Sequence, residues 1–220
     1  MSLPPSPDDI RAKAADAPIK SGGLRFGPLG RHCVHLCVDM QRMFAEDTEW
    51  RTPWLRRVLP TIVRLVEARP AQTIFTRFIP AERPGEGVGA WRRYYERWSS
   101  MTLENLGRDM VDLVPELAIF VPPAQVFDKR IYSPWRGGAL HEELRRSSID
   151  TLVISGGETD VCVLATVLGA IDYGYRVAIA TDALCSSSDE THDALIALYE
   201  TRFGQQIEAA TTEEVIESWA

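Results

Sequence analysis

Between Cys33 and Trp219, short apolar runs of strand length alternate with stretches of helical spacing. That alternation restricts the chain more than any single residue does. The first run, residues 33–39, is almost continuously apolar and ends in an acid. Such a run suits a strand buried on both faces, as in a parallel sheet. Further strands are predicted at 72–77, 126–128, 151–155, 175–182 and 205–209. Helices are predicted at 54–69, 139–146, 160–173, 188–202 and 211–219. Pro60 marks a break or restart in the first of these, and Thr211 or Thr212 is placed to cap the last.

Strands alternating with helices imply an α/β three-layer sandwich with a six-stranded, mostly parallel sheet and right-handed crossovers. In open sheets of this kind, chemistry gathers at the carboxyl ends of the strands, where the winding reverses. In the common order 3-2-1-4-5-6 that point lies between strands one and four. Asp39 ends strand one. Strand four leads into Gly156-Gly157, read as a turn, and then into Cys162 near the start of a helix.

At 220 residues the chain fits one domain, expected over 30–220, after an extended arm at 1–29 rich in proline and glycine. A net charge of −7 argues against nucleic acid as the main partner. No apolar run approaches the ~20 residues of a membrane span. Residues 1–9 do not pattern as a secretory leader. Four cysteines sit in strand or helix-start patterns rather than in a loop-rich framework. Reduced thiols and a cytoplasmic location are therefore expected. Cys33 and Cys37 fall on one face of one strand and read as core. Residues 79–105 break the alternation. Their Trp91-Arg92-Arg93-Tyr94-Tyr95-Glu96-Arg97-Trp98 stretch mixes arginine with aromatics. Nucleic acid can be bound by such a mixture. In an acidic chain, a helical excursion covering the site or packing in an oligomer is the expectation.

Three groups carry possible chemistry: Asp39, Lys129 after strand three, and Cys162 after strand four. A carboxylate beside a thiol can take its proton as general base and later protonate a leaving amine. A lysine beside both holds the carboxylate ionised and favours the thiolate. A helix start over unpaired N–H groups favours the thiolate too. Together these allow acyl transfer through a thioester, completed by water. Each residue also has a structural reading: a small core cysteine, a capping acid, a solvated lysine.

The motifs Asp39-Met40-Gln41 with Phe44, Lys129 with Tyr132 and Ser133, and Gly156-Gly157-Glu158-Thr159-Asp160-Val161-Cys162-Val163 stand in order. In these the chain resembles the isochorismatase-like cysteine hydrolases, a group that includes nicotinamidase, N-carbamoylsarcosine amidohydrolase and ureidoacrylate amidohydrolase. The resemblance runs from about His35 to about Gln206. It implies an Asp39–Lys129–Cys162 triad, a cis peptide at Gly157–Glu158, and an oxyanion hole from the N–H groups of Glu158 and Cys162. Nicotinamidases of the group bind a metal through an Asp-x-His pair and a second histidine. Here no histidine lies between Asp39 and His141, so neither metal nor other cofactor is expected. Members that cleave a vinyl ether lack the cysteine. Its presence favours a C–N bond in a small amide, carbamoyl or ureido compound, with no nucleic acid or membrane partner.

Phe44, Trp50, Trp91, Tyr132, Trp135 and Glu158 are the candidate pocket walls. Glu158 would read a cationic or N–H-rich group, or else turn away and pair with an arginine. Self-association as a dimer or tetramer is expected. The competing readings are hydrolysis of another bond and a non-catalytic binding module on the same fold.

Overall fold

A computed structural model describes residues 23–219. Six strands form one sheet: β1 (Cys33–Val38), β2 (Thr73–Phe78), β3 (Gln125–Lys129), β4 (Thr151–Gly157), β5 (Arg176–Cys185) and β6 (Ile207–Ala210). Their order is β3-β2-β1-β4-β5-β6, and every pairing is parallel. The larger helices are α1 (Leu55–Ala68), α2 (Ala90–Arg97), α3 (Ala139–Arg146), α4 (Leu164–Asp172), α5 (Asp189–Thr201) and α6 (Thr212–Ser218).

Helices cover both faces of the sheet. Leu55, Ile62 and Val66 of α1 and Val215 of α6 pack with Cys33, Cys37, Phe75 and Val153 on one side. Leu140 and Leu144 of α3, Val167 of α4 and Tyr199 of α5 pack with Leu36, Ile154 and Ile179 on the other. Covering both faces is why β1 reads as an unbroken apolar run rather than an alternating one. Pro60 lies inside α1 without ending it. Thr211 caps α6 in a capping box with Glu214, and Asp182 Oδ1 accepts the Thr212 N–H at 2.7 Å.

The expected arm at 1–29 falls mostly outside the described residues. Its last part, from Gly23, runs beside β6. The Gly23 N–H donates to Ala209 O at 3.0 Å, and Leu29 is buried against α6 with its N–H on Ser218 O at 2.8 Å.

Two strand ends differ from the sequence expectation, and both bear on the site. β4 does not stop at Ser155 but continues through Gly156 and Gly157, with a register shift against β5. The double glycine is thus a bulged strand end rather than a turn. Gly156 has φ +104°, and a Cβ there would sit 2.2 Å from Val38 O. Only glycine lets the β1 backbone approach this closely. β5 likewise runs past Asp182 to Cys185.

His35 lies fully buried in β1. Thr73 Oγ1 already donates to Arg69 O at 3.0 Å, so His35 Nδ1–H donates to Thr73 at 3.3 Å and Nε2 accepts from Ser155 Oγ at 2.7 Å. The ring is satisfied as one neutral tautomer. Burial drives its pKa down to about 3. The unfolded chain therefore binds a proton below pH ~6.5 that the folded chain refuses until pH is near 3. Stability attributable to His35 is complete above pH ~6.5 and drains as pH falls through that window, by about 2 kcal/mol at pH 5. Urea unfolding at pH 7 and pH 5 checks this. The stability lost between the two should be smaller by about that amount in His35→Gln. An equal loss in both proteins would rule it out.

Candidate active site

β1, β3 and β4 each end at the same edge of the sheet, on either side of the point where the winding reverses. Asp39 follows β1 with φ +51°, a conformation that aspartate tolerates better than most residues. It is 1% exposed. Its N–H bonds Thr76 O at 3.1 Å, and Oδ1 accepts from Thr76 Oγ1 at 2.7 Å. Oδ2 takes the Lys129 ammonium at 2.7 Å. Lys129 is the last residue of β3. Its Nζ also lies 3.4 Å from Cys162 Sγ and 3.3 Å from Ile131 O. One cation thus bridges the carboxylate and the thiol.

Gln41 of the first motif clips this corner together. Its side-chain amide donates to Phe78 O at 3.0 Å and Val111 O at 2.7 Å, and its Oε1 accepts the Phe78 N–H at 2.7 Å. Three bonds satisfy a fully buried amide and fix the chain after β1 to the end of β2.

Cys162 does not sit in the first turn of a regular α-helix. It lies in a five-residue π-type turn, Thr159–Val163, which precedes α4. The peptide before it, Gly157–Glu158, is cis. Among the described residues, the Glu158 N–H donates to no protein acceptor. Burial pushes the Cys162 thiol well above its ordinary value, the Asp39 charge raises it further, and Lys129 opposes both. The resting group is a neutral thiol, not the thiolate that a helix start would favour. Burial lowers the Lys129 pKa, but Asp39 and Cys162 outweigh that and leave it raised, so the ammonium keeps its proton.

The thiol opens into a cavity of about 260 Å³ lined by Phe44, Glu49, Trp50, Arg51, Phe78, Tyr94, Trp98, Tyr132, Gly157, Glu158, Val161, Cys162 and Ser187. Of the expected walls, Phe44, Trp50, Tyr132 and Glu158 are in place. Glu158 is not paired with an arginine among the described residues; Oε1 accepts the Ser187 N–H at 3.0 Å.

Trp91 and Trp135 are corrections. Trp91 stands behind the wall, with its ring 4.9 Å from Tyr132 and 6.2 Å from Phe78, and lines a separate apolar hollow with Ala90 and Ile131. Trp135 is core. Its indole N–H donates to Thr166 O at 2.8 Å, and a Cβ on Gly169 would lie 2.1 Å from its Cδ1. The glycine in α4 is the hole that Trp135 fills.

Phe78, Tyr94, Trp98 and Val161 also line the cavity, although sequence reasoning did not select them. For Tyr94 and Trp98 the signal was present. Trp91, Tyr94, Tyr95 and Trp98 fall at i, i+3, i+4 and i+7, one face of α2 and its exit, while Arg92, Arg93 and Arg97 are exposed. The arginine–aromatic stretch is an amphipathic cover, with its rings inward.

Among the described residues, no three His, Cys, Asp or Glu side chains converge to hold a metal ion. No helix there is long and apolar enough to cross a membrane.

Comparison with known proteins finds relatives in sequence and in fold. A probable inactive nicotinamidase of Arabidopsis thaliana is 28% identical over 173 residues, which cover 76% of this chain and 87% of that protein. YwoC of Bacillus subtilis, an isochorismatase family protein, is 35% identical over 109 residues; the match spans half of this chain and 56% of that protein's length. A cysteine hydrolase from Pseudomonas syringae pv. phaseolicola superposes with a TM-score of 0.74 at 24% identity, covering 85% of this chain and 92% of that one. The isochorismatase domain model matches residues 33–211. The chain belongs to the isochorismatase family.

Proposed function

We propose that this chain is a cysteine amidohydrolase that cleaves a C–N bond in an amide, carbamoyl or ureido compound through a thioester. The observation that carries the reading is one buried ammonium, 2.7 Å from a carboxylate and 3.4 Å from a thiol that lines a cavity.

In this reading Cys162 Sγ attacks the substrate carbonyl as its proton passes to Asp39. The resting thiol is neutral, so proton loss and attack are coupled rather than sequential. The N–H groups of Glu158 and Cys162 face the developing oxyanion, an interaction worth about 3 kcal/mol per donor. The C–N bond then breaks and Asp39 returns its proton to the leaving nitrogen. Water, deprotonated by the same carboxylate, attacks the thioester and frees the acid and the thiol. Lys129 stays charged throughout. It offsets the charge that moves between Asp39 and Cys162.

Ammonia release over a panel of aryl and alkyl carboxamides, carbamoyl compounds and ureides tests the proposal, with Cys162→Ala as the control. Turnover of at least one class by the parent chain, and none by Cys162→Ala at equal thermal stability, is the expected result. Retained turnover in that variant would sink it. One relative is named as a probable inactive nicotinamidase, which favours a second reading, a non-catalytic binding module. No turnover by the parent chain across the panel would select it.

A further inference from the structure

The turn that carries the attacking thiol is held from a distance. Glu158, Thr159 and Asp160 each reach across to the segment after β5. Glu158 accepts from Ser187 N–H. Asp160 accepts from Ser186 Oγ and Thr191 Oγ1, each at 2.6 Å. Thr159 is buried, next to the Gly157–Glu158 peptide, and makes the most bonds across to this segment. Its hydroxyl donates to Cys185 O at 3.1 Å and lies 2.9 Å from His192 Nδ1. Its carbonyl accepts from the buried Tyr199 hydroxyl at 3.4 Å.

The proton on Thr159 decides the direction of this chain. A threonine hydroxyl has one hydrogen. A backbone carbonyl only accepts, so the Thr159 hydrogen goes to Cys185 O. His192 must then donate from Nδ1. His192 and Tyr199 lie two turns apart on one face of α5, and both bond the same residue. The imidazole is wedged in place by Trp54, stacked at 6.3 Å and 25°, and lines a hollow of about 90 Å³ with Trp54, Ser186, Asp189 and Asp193.

We infer that His192 is a positioning residue: its Nδ1–H fixes the Thr159 rotamer, and through it the orientation of the Glu158 N–H toward the reacting carbonyl. His192 touches neither the cavity over Cys162 nor the thiol. The inference rests on the amidase reading for its effect on rate, but not for its effect on structure.

His192→Leu removes the donor and keeps bulk. His192→Asn places an amide N–H near the former Nδ1. For a substrate found in the panel, His192→Leu should lower kcat by ten- to a hundredfold with KM within about threefold, because a small misplacement of an oxyanion donor costs turnover rather than binding. His192→Asn should recover most of the loss. Alkylation of Cys162 by iodoacetamide forms no oxyanion and should stay within about twofold of the parent rate in both variants. That separates loss of the donor from general loosening, in which both rates fall together. Hydrogen exchange over 157–163 supplies a readout that needs no substrate. It should quicken in His192→Leu and not in His192→Asn. Unchanged exchange in His192→Leu, or equal loss in both variants, would overturn the inference even if the chain proves an amidase. Absence of turnover in the parent protein would defeat the amidase reading and leave the exchange result to decide this one.

Discussion

Asp39→Asn is expected to abolish hydrolysis while making Cys162 easier to alkylate. In the parent chain burial and the Asp39 charge both hold the thiol protonated, and only Lys129 favours the thiolate. Removing the carboxylate charge leaves the lysine alone beside the sulfur, 3.4 Å away. The thiolate is then opposed by burial alone and is easier to reach than in the parent chain, so iodoacetamide should react faster at neutral pH. Turnover needs more than a nucleophile. Something must protonate the departing nitrogen and then deprotonate water, and asparagine does neither. Loss of a general acid and base is worth about 10³-fold in rate. The two readouts should therefore move in opposite directions. Undiminished turnover would remove Asp39 as the base. Slower alkylation would mean that Asp39 does not oppose ionisation of the thiol.

The sheet was legible because both of its faces are covered. Burial on two sides leaves runs such as Cys33–Val38 almost without polar residues, and helices separate them in the chain. The order followed from the common winding rule, and it brought Asp39, Lys129 and the loop of Cys162 to one edge. What sequence could not supply was the depth of the site. Side-chain type says that a cysteine at a helix start favours its anion; the Cys162 thiol is instead buried beside a carboxylate, and desolvation outweighs local dipoles. The double glycine reads from sequence as a turn, but the packed sheet makes it a place of close approach. Val38 O leaves no room for a Cβ at Gly156.

The pocket walls were harder to place for a similar reason. Trp91 and Trp135 carry the same composition signal as Trp50, yet one stands behind Tyr132 and the other fills the hole at Gly169. Aromatic type alone does not tell which side of a wall a ring occupies. Helical phase does better: the spacing of Tyr94 and Trp98 pointed inward, and both reach the cavity. His192 and Tyr199 show the same limit. Their shared face on α5 is visible in the sequence, but its target, Thr159, is known only once the helix is packed.

Lys129→Met should be the most destabilising of the triad substitutions, more so than Asp39→Asn. The ion pair is almost wholly buried, with Asp39 1% and Lys129 5% exposed. Removing the ammonium leaves a buried carboxylate with the Thr76 hydroxyl as its remaining side-chain partner. Breaking one half of such a pair costs about 3–5 kcal/mol, which for a chain of this size lowers Tm by roughly 10 °C. Asp39→Asn is buffered, because Lys129 keeps its contacts with Cys162 Sγ and Ile131 O. Among the described residues, no cation other than Lys129 pairs with Asp39. In the double variant Asp39→Asn with Lys129→Met, neither charge is buried, so stability should return toward the parent value even though hydrolysis does not. Urea midpoints for the four proteins close the cycle. Additive losses in the double variant would show that Asp39 and Lys129 are energetically independent. A Lys129→Met protein as stable as the parent would show that the Asp39 charge is met by other groups. Recovery of stability without activity would separate the two roles of the pair: in the folded chain the charges balance each other, and in the proposed reaction the carboxylate receives the thiol proton while the ammonium stays beside it.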